Sequence, residues 1–282
     1  MNYSYALILL VNLLYFSNTN IFAKETQKTK LIGSSTIHPL VKEASKLFAN
    51  KNRKEEVSKI VIVKGGGSNF GIEYALNGNG MGMVSRILND SELDAGAKGY
   101  TIALDGIGII LHLKNPIKNL NIGQIKDVLS GKIKNWKDLG GTDKPIKILG
   151  PNNNHGTLTS FLNLVDYYEK EILNFKGYKS NRKIIHLMAR RSNTDAIGIA
   201  SLGHILKYGD ERVKMPSING IQPSLENLRN RSYPLIRPLN IVSKGEPTGV
   251  NKEFVEFLLS TEFQKKISDF DFIPAKNLET TK

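Results

Sequence analysis

Ile32-Gly33-Ser34-Ser35-Thr36-Ile37-His38-Pro39 decides the fold reading of this chain. Thr29-Lys30-Leu31-Ile32 ahead of it reads as a short strand, and Gly33-Ser34-Ser35-Thr36 as a tight polar turn. Pro39 suits the first turn of a helix, and Leu40, Val41, Ala44, Leu47 and Phe48 recur behind it at helical spacing. The same grammar repeats at once. Residues 59–63 form a second apolar run, Gly65-Gly66-Gly67-Ser68 ends it, and Phe70, Ile72 and Leu76 follow at helical spacing. Alternation of strand, small polar turn and helix predicts a parallel sheet covered by helices.

Further along, residues 106–113 are almost continuously apolar, as in a buried strand. Ile122, Ile125, Val128 and Leu129 mark a helix closed by Gly131. Residues 144–149 read as another strand, ended by Gly150-Pro151-Asn152-Asn153-Asn154-His155-Gly156-Thr157, after which Leu158, Phe161, Leu162 and Val165 share one helical face. Strands are also expected at 196–199 and 239–242, and one helix at 251–267. Two strand–turn–helix blocks, 29–105 and 120–200, separated by one apolar crossing strand, suit two α/β lobes with a cleft between them.

Composition bounds the alternatives. The chain has 282 residues, 40% hydrophobic and 23% charged, which is globular usage. The first 23 residues carry no Lys, Arg, Asp or Glu, and residues 6–15 are an apolar run too short to span a bilayer. Polar Ser17-Asn18-Thr19-Asn20 and then Ile21-Phe22-Ala23 complete the layout of a cleaved signal peptide, with the cut near Ala23. Cysteine is absent, which excludes a disulfide scaffold and a lipid-bearing Cys, so a free periplasmic protein is expected. The excess of 39 basic over 26 acidic residues, net +13, is spread along the chain without a dominant basic block. Nucleic acid is therefore not the expected partner.

Three turns carry the chemistry: Ser34-Ser35-Thr36, Gly66-Gly67-Ser68 and Gly156-Thr157. Each stands where a strand ends and a helix begins. Free backbone N–H groups and the helix dipole gather there, and hydroxyls add neutral donors. Any one such turn is ordinarily an N-cap. Three of them, drawn from both halves, point to a bound anion beyond the carboxyl ends of the strands. The five histidines lack metal-ligand spacing, and no GxSxG elbow, Walker loop or dinucleotide fingerprint occurs. Neither a catalytic set, a metal nor a cofactor is expected.

Taken in order, these motifs resemble the phosphate-binding proteins of phosphate ABC transporters, in the type 2 periplasmic binding protein superfamily. Residues 32–39 resemble the first phosphate turn and Gly65-Gly66-Gly67-Ser68 the second. Met83-Val84-Ser85-Arg86 is similar to the Ser-Arg motif of one branch, and Gly150-Pro151 through Gly156-Thr157 and Phe161 to a further segment of it. Asp195-Ala196-Ile197-Gly198, Tyr233-Pro234-Leu235-Ile236-Arg237-Pro238-Leu239, residues 253–260 and Phe272-Ile273-Pro274 match family landmarks.

The resemblance implies a two-lobed fold with its ligand in the cleft and the lobes joined by a two-strand hinge. The expected division is a leader at 1–23, lobe I at 24–108 with 205–282, and lobe II at 109–204. It also implies capture of inorganic phosphate, or a related oxyanion, by a monomer that delivers it to a membrane permease. A signalling or adhesion protein that kept the fold is the alternative, motivated by the altered third turn and the positive charge. Ser35, Thr36, Gly67, Ser68, Ser85, Gly156 and Thr157 would hold the anion, with Arg86 as the cation. Three positions depart from relatives: His155 replaces a serine, Pro151 an arginine of other branches, and Arg86 an aspartate of those branches that accepts the ligand's proton. His155 is then the candidate replacement acceptor, or a cation once protonated.

Overall fold

The computed structural model describes residues 29–51, 60–168 and 171–275. The expected leader lies outside them. In chain order the elements begin β1 (Thr29–Gly33), α1 (His38–Lys51), β2 (Ile60–Gly66), α2 (Gly67–Leu76), β3 (Met81–Val84), α3 (Asp90–Asp94) and β4 (Ala97–His112). Then come β5 (Asn119–Leu120), α4 (Ile122–Ser130), β6 (Lys147–Pro151), α5 (Gly156–Leu164), β7 (Phe175–Tyr178), α6 (Asn181–Met188), β8 (Ala196–Ser201) and α7 (Leu202–Tyr208). The last are β9 (Val213–Lys214), β10 (Ser217–Ile218), α8 (Leu225–Arg229), β11 (Ile236–Lys244), α9 (Gly249–Leu259), α10 (Thr261–Gln264) and β12 (Ile273–Pro274).

The main sheet runs β2-β1-β3-β11-β4-β8-β6-β7. Its two ends are parallel, as the alternating pattern predicts: β1 pairs β2 and β3, and β6 pairs β7 and β8. The middle is antiparallel, because β11 returns from the far end of the chain to lie between β3 and β4. The sheet is therefore mixed. Strand β4 is also much longer than its apolar half: Ala97–Gly106 pairs β11, and Ile107–Leu111 pairs β8. Half-polar residues 98–105 conceal the first part of this strand from a reading of apolar runs.

Two cores flank this change of partner. One gathers Leu31, Leu40, Met83, Ile241, Phe254 and Phe263, and the other Ile109, Trp136, Ile148, Phe161, Ile197 and Leu235. Each fully buried aromatic in them contributes about 1.5–3 kcal/mol of transfer free energy. Ile218, Leu228, Tyr233 and Leu235 belong to the second core, and Ile205 packs with Ile110, Leu149 and Ile184. Within residues 205–235, Ile205, Ile218, Leu228, Tyr233 and Leu235 are therefore buried in the clusters built around the second half of β4, while the neighbouring His204 ring lies near that of Phe272. Strands β4 and β11 run side by side here: Ile236 pairs Gly106, and the Ile107 N–H donates to the Leu235 carbonyl at 2.8 Å.

Local signals set the helix ends. Asn89 and Asn121 each form a capping box, with Glu92 and Gln124, and Gly131 closes α4 in the left-handed region at φ 74°. The single helix expected at 251–267 is broken. Ser260 adopts extended backbone at ψ 148°, and its hydroxyl accepts from the Phe263 N–H at 3.2 Å, starting α10 afresh.

Candidate functional site

The three turns meet where the lobes face each other. The first lies between β1 and α1, the second opens α2, and the third opens α5 on the other lobe. Gly67 has φ +74°, and a Cβ there would overlap the carbonyl oxygen of Asn154. A Cβ on Gly156 would overlap Ser68 Oγ. These glycines allow direct backbone approach between the lobes. In this structure the cleft is closed.

Buried hydroxyls line the closure. Ser34 Oγ donates to Ser85 Oγ at 3.0 Å and accepts from the Thr36 N–H at 3.2 Å. Ser68 Oγ accepts from the Ser85 N–H at 3.0 Å and lies 3.3 Å from Ser85 Oγ. Thr36 Oγ1 lies 3.5 Å from Thr157 Oγ1, across the cleft. Ser160 Oγ donates to the Ser85 carbonyl at 3.2 Å, also across it. Ser35 Oγ is buried without a hydrogen-bond partner. An orphaned buried hydroxyl is costly unless a ligand satisfies it.

The cation among these hydroxyls is Arg237, at the start of β11. It is 1% exposed and paired with Asp105, which is fully buried. Its Nη1 donates to Thr157 Oγ1 at 2.7 Å and to Ser85 Oγ at 3.3 Å, and its Nη2 to Thr36 Oγ1 at 3.4 Å. Position 151 in the third turn is a proline, and Arg237 brings a guanidinium to that turn from a different strand. Burial pushes the Arg237 pKa down, and Asp105 opposes this. A buried guanidinium nonetheless stays charged.

Arg86, read from sequence as the ligand's cation, is held elsewhere. Its Nη2 and Nη1 bind Glu92 Oε1 and Oε2 at 2.6 and 2.8 Å, and it also donates to the Ile87 carbonyl and to Asn69 Oδ1. Burial raises the Glu92 pKa, but hydrogen bonds from Arg86 and the Asn89 N–H and the Arg86 charge outweigh it, leaving it below 4.5. The pair faces a groove shared by both lobes, lined by Asn69, Ile87, Thr159 and Asn163. Ser85, next to it, does join the hydroxyl cluster.

His155 occupies the N-cap position of α5 but makes no side-chain capping bond. Its Nε2–H donates instead to the Lys179 carbonyl at 2.8 Å. Burial lowers its pKa, with the Lys179 bond opposing and Arg237 adding. The imidazole is therefore neutral at pH 7, with Nδ1 as its unprotonated nitrogen. Among the described residues no group of three or more His, Asp or Glu could hold a metal ion. No described helix is long and apolar enough to cross a membrane.

The family model for the PBP superfamily domain matches residues 21–262. The chain belongs to the PBP superfamily. Within it, the phosphate-binding protein PstS of Bacillus subtilis is 28% identical over 265 residues, 92% of this chain and 84% of the relative. A Clostridium perfringens protein described as a phosphate ABC transporter substrate-binding protein, solved with bound phosphate, is 34% identical. It superposes with TM-score 0.78, covering 88% of this chain and all of the other. An ABC-type phosphate transport receptor from Vibrio cholerae is 26% identical with TM-score 0.75, covering 87% and 99%. The two-lobed PBP fold that the resemblance implied is thus the fold of the protein.

Arg237 belongs to the landmark segment Tyr233–Leu239, whose local pattern does not show which groups the arginine meets. The available signal was a lone arginine between Ile236 and Pro238, opening an apolar strand. Such a charge needs a buried partner.

Proposed function

We propose that this protein is a solute-binding protein that captures inorganic phosphate for an ABC importer, without covalent chemistry. The observation that carries the reading is the closed cleft. Neutral hydroxyl donors from three turns on two lobes surround one buried guanidinium, in a superfamily member 34% identical to a protein solved with phosphate. Ser35, Thr36, Gly67, Ser68, Ser85, Gly156 and Thr157 supply the donors, and Arg237 supplies the positive charge. Arg86 braces the rim through Glu92, and neutral His155 offers an acceptor for the proton of hydrogen phosphate. Residues 29–106 with 236–275 form one lobe and 107–235 the other, hinged where β4 and the start of β11 cross. Export to the periplasm after cleavage near Ala23, action as a monomer and docking on a membrane permease complete the proposal.

Titration of dialysed protein with phosphate, arsenate, sulfate and molybdate tests it. Phosphate is expected to bind selectively and to stabilise the fold by about 2.7 kcal/mol at a hundredfold excess over its dissociation constant. Binding of none of the four would overturn the reading in favour of a signalling or adhesion role.

A further inference from the structure

Asn181 opens α6 on lobe II and is 1% exposed. Its two side-chain atoms face different lobes. The Ser201 N–H, at the end of β8, lies 3.1 Å from Oδ1. A backbone N–H can only donate, so this contact identifies the oxygen and turns the amide nitrogen the other way. That nitrogen donates to Thr36 Oγ1, on lobe I, at 3.2 Å.

Thr36 Oγ1 therefore receives two N–H donors, from Asn181 Nδ2 and from Arg237 Nη2 at 3.4 Å. A hydroxyl has two lone pairs and one proton. With both lone pairs engaged, the proton must point away from both donors. The remaining neighbour is Thr157 Oγ1 at 3.5 Å, itself accepting from Arg237 Nη1. We infer that Asn181 is a positioning residue of the oxyanion site: it donates across the cleft to Thr36 and commits the Thr36 hydroxyl to act as a donor on the Thr157 side, where an unprotonated ligand oxygen can accept from it. The inference rests on the oxyanion reading above and adds a selectivity element to it. Asn181 and Thr36 stand on facing sides of the closed cleft, so the hydroxyl orientation is tied to a contact that spans it. No signal short of the tertiary structure joins the two positions, which are 145 residues apart.

The test is a double-mutant cycle in phosphate binding by calorimetry, using Asn181→Ala, Thr36→Val and the double variant, with thermal unfolding of each ligand-free protein. Asn181→Ala is expected to weaken phosphate about tenfold, the worth of one buried hydrogen bond. In the Thr36→Val background the same change is expected to cost less than about twofold, the limit of additivity for uncoupled sites. Asn181→Asp covers the case in which the alanine variant does not fold. It retains an oxygen for the Ser201 N–H but removes the donor, and is expected to weaken phosphate at least as much as alanine does. Wild-type affinity in Asn181→Asp, or an equal loss from Asn181→Ala with and without the Thr36 hydroxyl, overturns the inference while leaving the oxyanion reading intact. Failure of the unmodified protein to bind any oxyanion overturns both.

Discussion

Arg237 donates from Nη2 and Nε to a single oxygen of Asp105, Oδ2, at 2.7 and 3.1 Å, while Oδ1 accepts from the Gly203 N–H at 3.2 Å. The two residues are register partners on β11 and β4. Spending Nε and Nη2 on the carboxylate leaves Nη1 aimed at Ser85 and Thr157. The pair therefore ties the returning strand to the crossing strand and orients the cation of the cleft in one arrangement.

Removing one partner strands the other charge in a dry interior. Asp105→Ala is expected to destabilise the ligand-free protein by about 3–5 kcal/mol. Denaturant unfolding at constant pH measures this, and a loss below about 1 kcal/mol, the range of exposed pairs, would contradict it.

Lysine in place of Arg237 keeps the charge but loses the fork. It cannot serve Asp105, Ser85 and Thr157 together. Arg237→Lys is expected to weaken phosphate at least about tenfold, the scale of one charge-assisted hydrogen bond. Calorimetry on variant and parent checks it; unchanged affinity would remove Arg237 from the site.

Closure depends on the bare backbone at Gly156. An alanine there would overlap Ser68 Oγ. Overpacking of about 1–3 kcal/mol predicts phosphate binding weakened about five- to 150-fold by Gly156→Ala. The melting temperature of the ligand-free protein should hold, since alanine favours the helix it begins. Scattering with and without phosphate would show whether the variant still compacts.

His204 predicts the acid limb of stability. Burial lowers its pKa from 6.5 to about 4, Asp105 opposing and Arg237 and Lys207 adding. Between those values the unfolded chain binds a proton that the folded one refuses. The His204 contribution is therefore complete above pH 6.5 and falls away as pH drops toward 4, by up to about 3 kcal/mol. His204→Phe should flatten that part of the profile, measured as urea midpoint against pH. An identical profile would refute it.

Glu92 behaves as a depressed carboxylate. Its pKa lies below 4.5, so its contribution is present above that value and declines as pH falls through the lower folded value. In Glu92→Gln this steepening below pH 4.5 is expected to vanish, by the same urea titration. Its persistence would assign the acid loss to other carboxylates.

What the sequence by itself determined is local. Small residues at strand–helix junctions, Asn and Ser caps, and apolar periodicity act within a few residues, so Ser34–Thr36, Gly67–Ser68 and Gly156–Thr157 could be read before any tertiary contact was known. Tertiary structure decided which groups meet. Arg237 finds Asp105 132 positions away because β11 inserts antiparallel beside β4 in one register. Arg86 turns to Glu92 because the α3 cap holds that carboxylate within reach. Ile218, Leu228, Tyr233 and Leu235 are buried with Ile109, Trp136 and Ile148, far away in sequence, because the chain folds back beside β4. Ser34–Thr36, Gly67–Ser68 and Gly156–Thr157 face one another at the cleft. Their charged centre, and the amide of Asn181 that orients one of their hydroxyls, follow from burial and register, which no local window contains.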